Sequence, residues 1–365
     1  MQLSETNVFN VMKVMRADAR TKLDRLCQRK RASSKRARYA RRPLLFLGDF
    51  PLWVLYGFSL FFGLIWGSFL NVVIHRVPRG MSVVHPPSQC PACKKPIRPW
   101  DNIPVFGWLM LRGKARCCGV KVSPRYPLVE AIGGVLSVAI VHVILLQLPA
   151  STPLLRAGAI YVVDLALVLG LVAAAFIDLE HMILPDSITI GGTILGIATA
   201  SFRDMTFVDS LLGAGVGFGV VFLPFVVIYP MIRGGAGMGL GDAKLLMLAG
   251  AWFGWIGAIV VLCAGAVQGT LAAIGTLLVQ GKIEEPEAVR KEREELLAEL
   301  EKMSPDERAE AEKELAKDPL MAEAGDGLGQ ARMAFGPFLV LATLEFLFFG
   351  RRFIEVYVSW ISADS

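Results

Sequence analysis

The sequence predicts an all-α polytopic membrane protein of about eight transmembrane helices, with a small Cys-containing cytoplasmic domain between helices 1 and 2. Three observations carry this reading. Of 365 residues, 54% are hydrophobic and only 19% charged, and the mean hydropathy is +0.52; a water-soluble enzyme carries nearer a quarter charged residues. The apolar residues fall in runs close to the ~20 that a helix needs to cross a bilayer. Basic residues crowd into the connections instead of spreading along the chain.

Residues 1–43 form a basic extension, with thirteen Lys and Arg against Glu5, Asp18 and Asp24. It is too charged to hold the apolar core of a cleavable signal peptide, and it is expected to be disordered. Spans are expected at about 52–75, 127–148, 156–177, 187–201, 209–232, 244–262, 264–280 and 335–358. The fourth is short and the sixth and seventh adjoin, so seven or nine spans are the alternatives. The domain reading follows: 44–75 the first membrane region, 76–126 the Cys-containing segment, 127–280 a membrane core, 281–334 a charged insertion, and 335–365 the last helix and tail.

Segment 76–126 carries ten Lys and Arg against one acid, Asp101, which places it in the cytoplasm by the positive-inside rule. Counting spans puts the connections near 178–186 and 233–243 on that side as well, and the insertion with them. The basic residues 1–43 would also prefer the cytoplasm, and one crossing cannot put both ends of helix 1 there. Either residues 44–75 include an interfacial or re-entrant piece, or the extension stands apart from the working protein.

Two acids fall at the same expected depth. Asp178 follows the apolar run of helix 3 in "AAAFIDLEHMILPD", and Asp242 opens helix 6 in "GMGLGDAKLL". Ionisable residues at the membrane boundary are functional candidates by default. Two carboxyls held close cannot both ionise, so such a pair shares one proton. One member then takes a proton from water while the other polarises a peptide carbonyl and protonates the departing amine. Gly237, Gly239 and Gly241 would let the loop adopt positive φ and pass close to a substrate. The plainer reading is that Asp178 only ends a helix. Asp186, in "LPD", reads as the cap of helix 4, and Lys244 as an anchor reaching lipid phosphate or a partner for a carboxylate. Asp164 lies fourteen residues before Asp178, ~21 Å along a helix, too far to pair with it. His142 is a second lone polar residue within a span.

Gly239-Leu240-Gly241-Asp242-Ala243-Lys244, together with "FIDLEHMILPD", resembles the type IV prepilin peptidases, the GxGD class of membrane aspartyl proteases. "GSFLNVVIHRVPRG" (67–80), "CPAC" (90–93), "NIPVFGWLMLRGK" (102–114), "SPRYPLVE" (123–130) and "FGPFLVLA" (335–342) follow in the family's order. The resemblance implies Asp178 and Asp242 as the catalytic pair. It also implies cleavage of type IV pilin-like or pseudopilin precursors after a glycine that ends a basic leader. Many members then N-methylate the new N-terminal residue with S-adenosylmethionine. The implied place is the bacterial inner membrane, with a cytoplasm-facing active site, the lipid bilayer and precursor as partners, and no nucleic acid.

Cys90 and Cys93 form a CxxC, and Cys117 and Cys118 follow. Two CxxC pairs would read as a tetrathiolate zinc site. Here the family's second pair falls on Ala115 and Cys118, so one expected thiolate is missing, and Cys117 and His85 are the candidates to replace it. The alternative is a degraded site held by its fold alone. For the methyl donor and substrate the candidates are Asn71 and His75 at the end of helix 1, and Arg112, Gly113 and Lys114 of "LRGK"; membrane anchoring is the plain alternative for the basic ones. Cys27 and Cys263 carry no pattern. The insertion reads as a helical hairpin, with "SPDE" at 304–307 shaped like a capping box. It is either a docking surface for pilus-assembly or secretion components, or a spacer. Two other functions remain open at this level: a peptidase without methylation, and a secondary transporter with a proton path through Asp164, Asp178 and Asp242.

Overall fold

The computed structural model describes residues 45–90, 92–233, 238–280, 287–300 and 334–363. Residues 1–43 and the "SPDE" half of the expected hairpin lie outside the described residues, as does Gly237. The main helices are α1 Leu52–Arg76, α2 Arg125–Val143, α3 Leu154–His181, α4 Asp186–Ala198, α5 Phe207–Val221, α6 Leu240–Gln280, α7 Glu287–Leu300 and α8 Gly336–Ala363. Among the described residues there are isolated bridges but no strand.

Five segments are long and apolar enough to cross a membrane: α1, α2 extended to Gln147, α3, α5 extended to Ile232, and α6. Helix α4 and the Gly336–Gly350 part of α8 are apolar but shorter. The expected sixth and seventh spans, divided near residue 263, are one 41-residue run that breaks at Gly254 instead (φ 74°, ψ 179°). That backbone region is open essentially to glycine alone. Hydropathy does not mark it, because "AWFGW" reads as unbroken apolar sequence. After α5 the chain widens into a π-type turn over Phe222–Ile228. Pro224 lies inside it and lacks the amide needed to continue an α-helix.

Small residues set the helix pairs. In α1 and α2, Gly63 and Gly67 meet Gly133 and Ser137 with backbones nearly touching: a Cβ on Gly67 would lie 2.9 Å from the Glu130 Cα. The Ser137 hydroxyl donates to the Ser59 carbonyl at 2.6 Å and meets the Tyr161 hydroxyl at 2.7 Å, joining α1, α2 and α3 at one buried point. Gly213 of α5 similarly packs on Gly250 of α6. Such close approach replaces the hydrophobic driving force that lipid does not supply between helices. Two apolar clusters result. One gathers α1, α2 and α3 around Ile74, Val129, Ile140 and Val168; the other gathers α3, α5, α6 and α8 around Leu171, Leu246, Trp252 and Leu339. Helix α3 belongs to both.

The chain before α1 is tied by backbone hydrogen bonds to the α2–α3 connection. The Leu47 and Gly48 amides donate to the Thr152 and Ala150 carbonyls, and Leu154 donates back to Leu45. Residues 45–49 therefore lie beside the α2–α3 connection, at the end of the bundle opposite the Cys-containing segment. His142 is satisfied within the bundle by the Tyr56 hydroxyl at 2.8 Å. Asp164 interacts electrostatically with Arg203, whose guanidinium also lies 4.2 Å over the Trp252 ring.

Gly254→Ala forces a side chain into a glycine-only conformation at a cost of about 1–3 kcal/mol. The apparent melting midpoint of the detergent-solubilised protein should fall by roughly 2–8 °C. An unchanged midpoint would show that the break does not depend on glycine.

Candidate functional site

Asp178 lies in the last turn of α3 and is 5% exposed; Asp242 lies in the first turn of α6 and is 9% exposed. Each carboxylate accepts a hydrogen bond from the backbone amide of a glycine: Asp178 from Gly336, the first residue of α8, and Asp242 from Gly239, just ahead of α6. These amides are the unpaired donors that every helix start leaves over, and they carry the positive end of the helix dipole. The two carboxyl groups lie within each other's electrostatic field. Leu184 joins the two helix starts, its Cδ1 standing 3.2 Å and 3.3 Å from where a Cβ would sit on Gly336 and Gly241.

The glycines act by size. Neither Gly239 nor Gly241 has positive φ, contrary to the sequence expectation. A Cβ on Gly239 would stand 3.3 Å from Asp242 Oδ2, and one on Gly336 only 2.5 Å from Asp178 Oδ2. Gly336 is the residue that sequence reasoning missed, although "FGP" at the start of an apolar run was a visible signal. Two smaller expectations are also corrected. Asp186 is the first residue of α4 and makes no capping bond. It pairs instead with Lys244 at 2.6 Å, so this lysine binds a carboxylate and ties α6 to α4. An Arg125–Glu180 ion pair ties the start of α2 to the end of α3.

The thiols of Cys90, Cys93, Cys117 and Cys118 all lie within 4.8 Å of one another. Two turns of matching geometry hold them. Cys90 N–H donates to Lys95 and Lys94 N–H donates to Cys90; likewise Ala115 donates to Val120 and Gly119 to Ala115. The residue ending each turn, Lys94 or Gly119, has positive φ. Ala115 thus stands where Cys90 stands in the first turn, and Cys117 reaches in to fill the vacated corner. His85 is not part of the cluster; its amide turns back to Ser82 Oγ. The Sγ–Sγ separations of 3.3 Å for Cys93–Cys117, 3.6 Å for Cys90–Cys118 and 3.9 Å for Cys117–Cys118 bracket the ~3.8 Å edge of a thiolate tetrahedron with 2.3 Å metal–sulfur bonds. The Cys93 amide lowers the Cys90 pKa to about 6, while hydrogen bonding with Cys93 and Cys90 pushes Cys117 up to about 12.

Between this segment and the ends of α1 and α2 lies a cavity of about 1280 Å³. Asn71, His75 and Lys114 line it, and so does Glu130, which the sequence analysis left unassigned. Asn71 is buried, donates from Nδ2 to the Tyr126 carbonyl at 3.1 Å, and leaves Oδ1 unpaired. Arg112 and Gly113 do not face this cavity. They form a tight turn with positive φ, and Gly113 packs against the Trp108 ring.

Residues 61–144 match the model of the bacterial peptidase A24 N-terminal domain, and residues 165–274 match that of the type IV leader peptidase family. Several curated proteins named prepilin leader peptidase/N-methyltransferase are similar. That of Myxococcus xanthus is 41% identical over 64% of this chain and 65% of its own length. Those of Stutzerimonas stutzeri and Aeromonas hydrophila are 35% and 34% identical, over 65% and 62% of this chain and 86% and 83% of their own lengths. No solved structure matches. The matched regions hold both the cysteine cluster and the two buried aspartates, and the chain belongs to the type IV leader peptidase family of proteases.

Proposed function

We propose that this protein cleaves type IV pilin-like or pseudopilin precursors, with Asp178 and Asp242 as the water-activating pair, and methylates the amine that cleavage exposes. One observation carries the peptidase reading: two buried carboxyls on different helices lie within each other's electrostatic field at one end of the bundle, each held by a helix-start amide. The ionised member takes a proton from water, which attacks the scissile carbonyl. The protonated member polarises that carbonyl and then gives its proton to the departing amine. The helix-start amides keep both oxygens oriented without adding a competing cation. Lys244, engaged with Asp186, leaves the pair free to share its proton. Lys- and Arg-rich residues 76–126 adjoin the same end of the bundle and favour the cytoplasmic face for it. A precursor with a basic leader inside and an apolar helix in the bilayer presents its junction there.

The four thiols fit a structural zinc ion, with Cys117 as the replacement ligand. The zinc would pin the Cys-containing segment over the cavity without joining the hydrolysis. That cavity has room for the methyl donor, its volume lying above the 300–1,000 Å³ typical of small-molecule sites, and Lys94, Lys95, Lys114 and Lys121 line it as partners for the donor's carboxylate. S-adenosylmethionine, when bound, supplies a methyl group carried on a positive sulfur.

Asp178→Asn and Asp242→Asn should each lower cleavage of a pilin-type precursor by at least roughly 10²–10⁴-fold while the protein purifies with an unchanged melting midpoint. Cleavage surviving in either variant would remove that residue from the mechanism. Gly336→Ala, which pushes a methyl group against Asp178 Oδ2, should lower kcat by roughly 10²-fold, the usual cost of an ångström of misplacement. Elemental analysis of the purified protein should find about one zinc per chain. Cys90→Ser and Cys117→Ser should each lose that zinc, whereas His85→Ala should keep it. Equal retention in Cys117→Ser would exclude Cys117 as a ligand.

A further inference from the structure

The cavity beside α1 and α2 contains one carboxylate with no cation among the described residues. Asp101, the other acid lining it, is bound by Arg116 at 2.8 Å, which holds its carboxyl below the usual range. Arg76 is spent on the carbonyls of Ser82 and Pro86. Glu130 accepts only neutral donors: the Val105 amide at 2.6 Å and the Ser68 hydroxyl. Val105 reaches it from a non-glycine residue at φ 63°, a conformation that costs of order 1–3 kcal/mol and clusters at functional sites. One carboxylate oxygen is therefore held in place while lone pairs remain open to the cavity.

Asn71 lies nearby on the facing helix. Gly67 packs against Glu130, and Asn71, one turn later on α1, bonds to Tyr126, one turn earlier on α2. Its Oδ1 is buried and has no hydrogen-bond partner, a second acceptor left unsatisfied at the cavity wall. A cavity wall offering an unpaired carboxylate and an unpaired amide oxygen calls for a ligand with at least two N–H donors and a positive charge. Position narrows the choice. Gly67 precedes the end of α1 by nine residues, or ~14 Å, and the apolar Ile65 and Phe69 line the cavity at that level. The cations Lys94, Lys95, Lys114 and Lys121 belong to the opposite, Cys-containing wall. An amine at the tip of an apolar helix comes to the first wall, and a donor bearing a carboxylate suits the second.

We propose that Glu130 and Asn71 bind the newly exposed α-amino group of the cleaved product, with Glu130 as its base. The inference rests on the methyltransferase reading above. Glu130 takes one proton from the ammonium, and its carboxylate and Asn71 Oδ1 accept the two remaining N–H bonds. The freed lone pair forms the new N–C bond as the methyl–sulfur bond breaks, and the sulfur departs as a neutral thioether with that electron pair. The product leaves as the methylated ammonium, and Glu130 returns its proton to water, which restores the carboxylate.

The test uses the full-length protein in nanodiscs with a pilin-type precursor and S-adenosylmethionine. Glu130→Gln should lower methylation at pH 7 by at least roughly 10²-fold, with cleavage as the folding control. The deficit should shrink about tenfold by pH 9, because an α-amine of pKa ≈ 7.7–8.0 then loses its proton unaided. A peptide with the mature apolar N-terminus should bind the wild type at least tenfold tighter as the free amine than N-acetylated, and Glu130→Gln and Asn71→Ala should each lose that preference. Calorimetric affinity for the methyl donor should stay within twofold. A variant that keeps the amine preference, or loses donor affinity instead, overturns the assignment. A wild type that cleaves but neither binds donor nor methylates refutes the methyltransferase reading itself, and this inference with it.

Discussion

The arrangement depends on how a buried carboxyl can be tolerated inside an apolar helical bundle. An isolated ionised carboxylate is very costly to bury, and it survives only with hydrogen bonds or a partner charge. Here the compensation is the backbone itself. Two helices, α6 and α8, begin beside the last turn of α3, and each turns an otherwise unpaired amide toward an aspartate. A lysine in the same place would fix both acids as anions and leave no proton to share. Neutral donors hold the oxygens without adding a charge, as the proposed shared proton requires. The amides work only at contact distance, which is why Gly336 and Gly239 lack side chains.

Helix α3 is the element that makes one machine of two packed halves. It is the most buried of the span-length helices and belongs to both apolar clusters. The two family regions, 61–144 and 165–274, fall on either side of its first turns. The first contains most of α1, the Cys-containing segment and α2; the second contains most of α3 and continues into α6. Hydrogen bonds from Ser137 fasten α1 and α2 to its middle, and the Arg125–Glu180 pair fastens α2 to its end.

The sequence made legible what composition and spacing govern. Hydropathy located α1, α3 and α5 to within a few residues, because a run of apolar side chains is itself the physical cause of a span. It could not locate the break in α6, because Gly254 differs from its neighbours in backbone freedom and hardly in hydropathy. The two aspartates were visible through the motif around them; "FGP" marked Gly336 as well, but not its role, a backbone amide that meets Asp178 from 158 residues further along the chain. Cysteine spacing suggested a broken metal site. The four-thiol cluster depends on matched hydrogen bonds in the two turns, which place Cys117 at the corner that Ala115 left. Lys244 and Asp186 were each read alone, and their pairing across α4 and α6 is a tertiary fact.

The two proposed reactions impose a common demand on geometry. Hydrolysis leaves a positively charged amine near the end of α3, still attached to an apolar helix that stays in the membrane. Methylation then needs that same amine without its proton, and water is a poor place to remove it, because a solvated ammonium at neutral pH keeps it. Arg125, which pairs with the end of α3, and Glu130 lie on one helix, five residues and ~7.5 Å of axial rise apart. An amine moving that far along α2 would leave the proposed pair of acids and meet a carboxylate that, among the described residues, has no cation partner. Both positions lie at the same end of the bundle, so the product's apolar segment need not leave the bilayer between them. The order of the chemistry, cleavage first and methylation second, then follows from which groups are free to take a proton at each place.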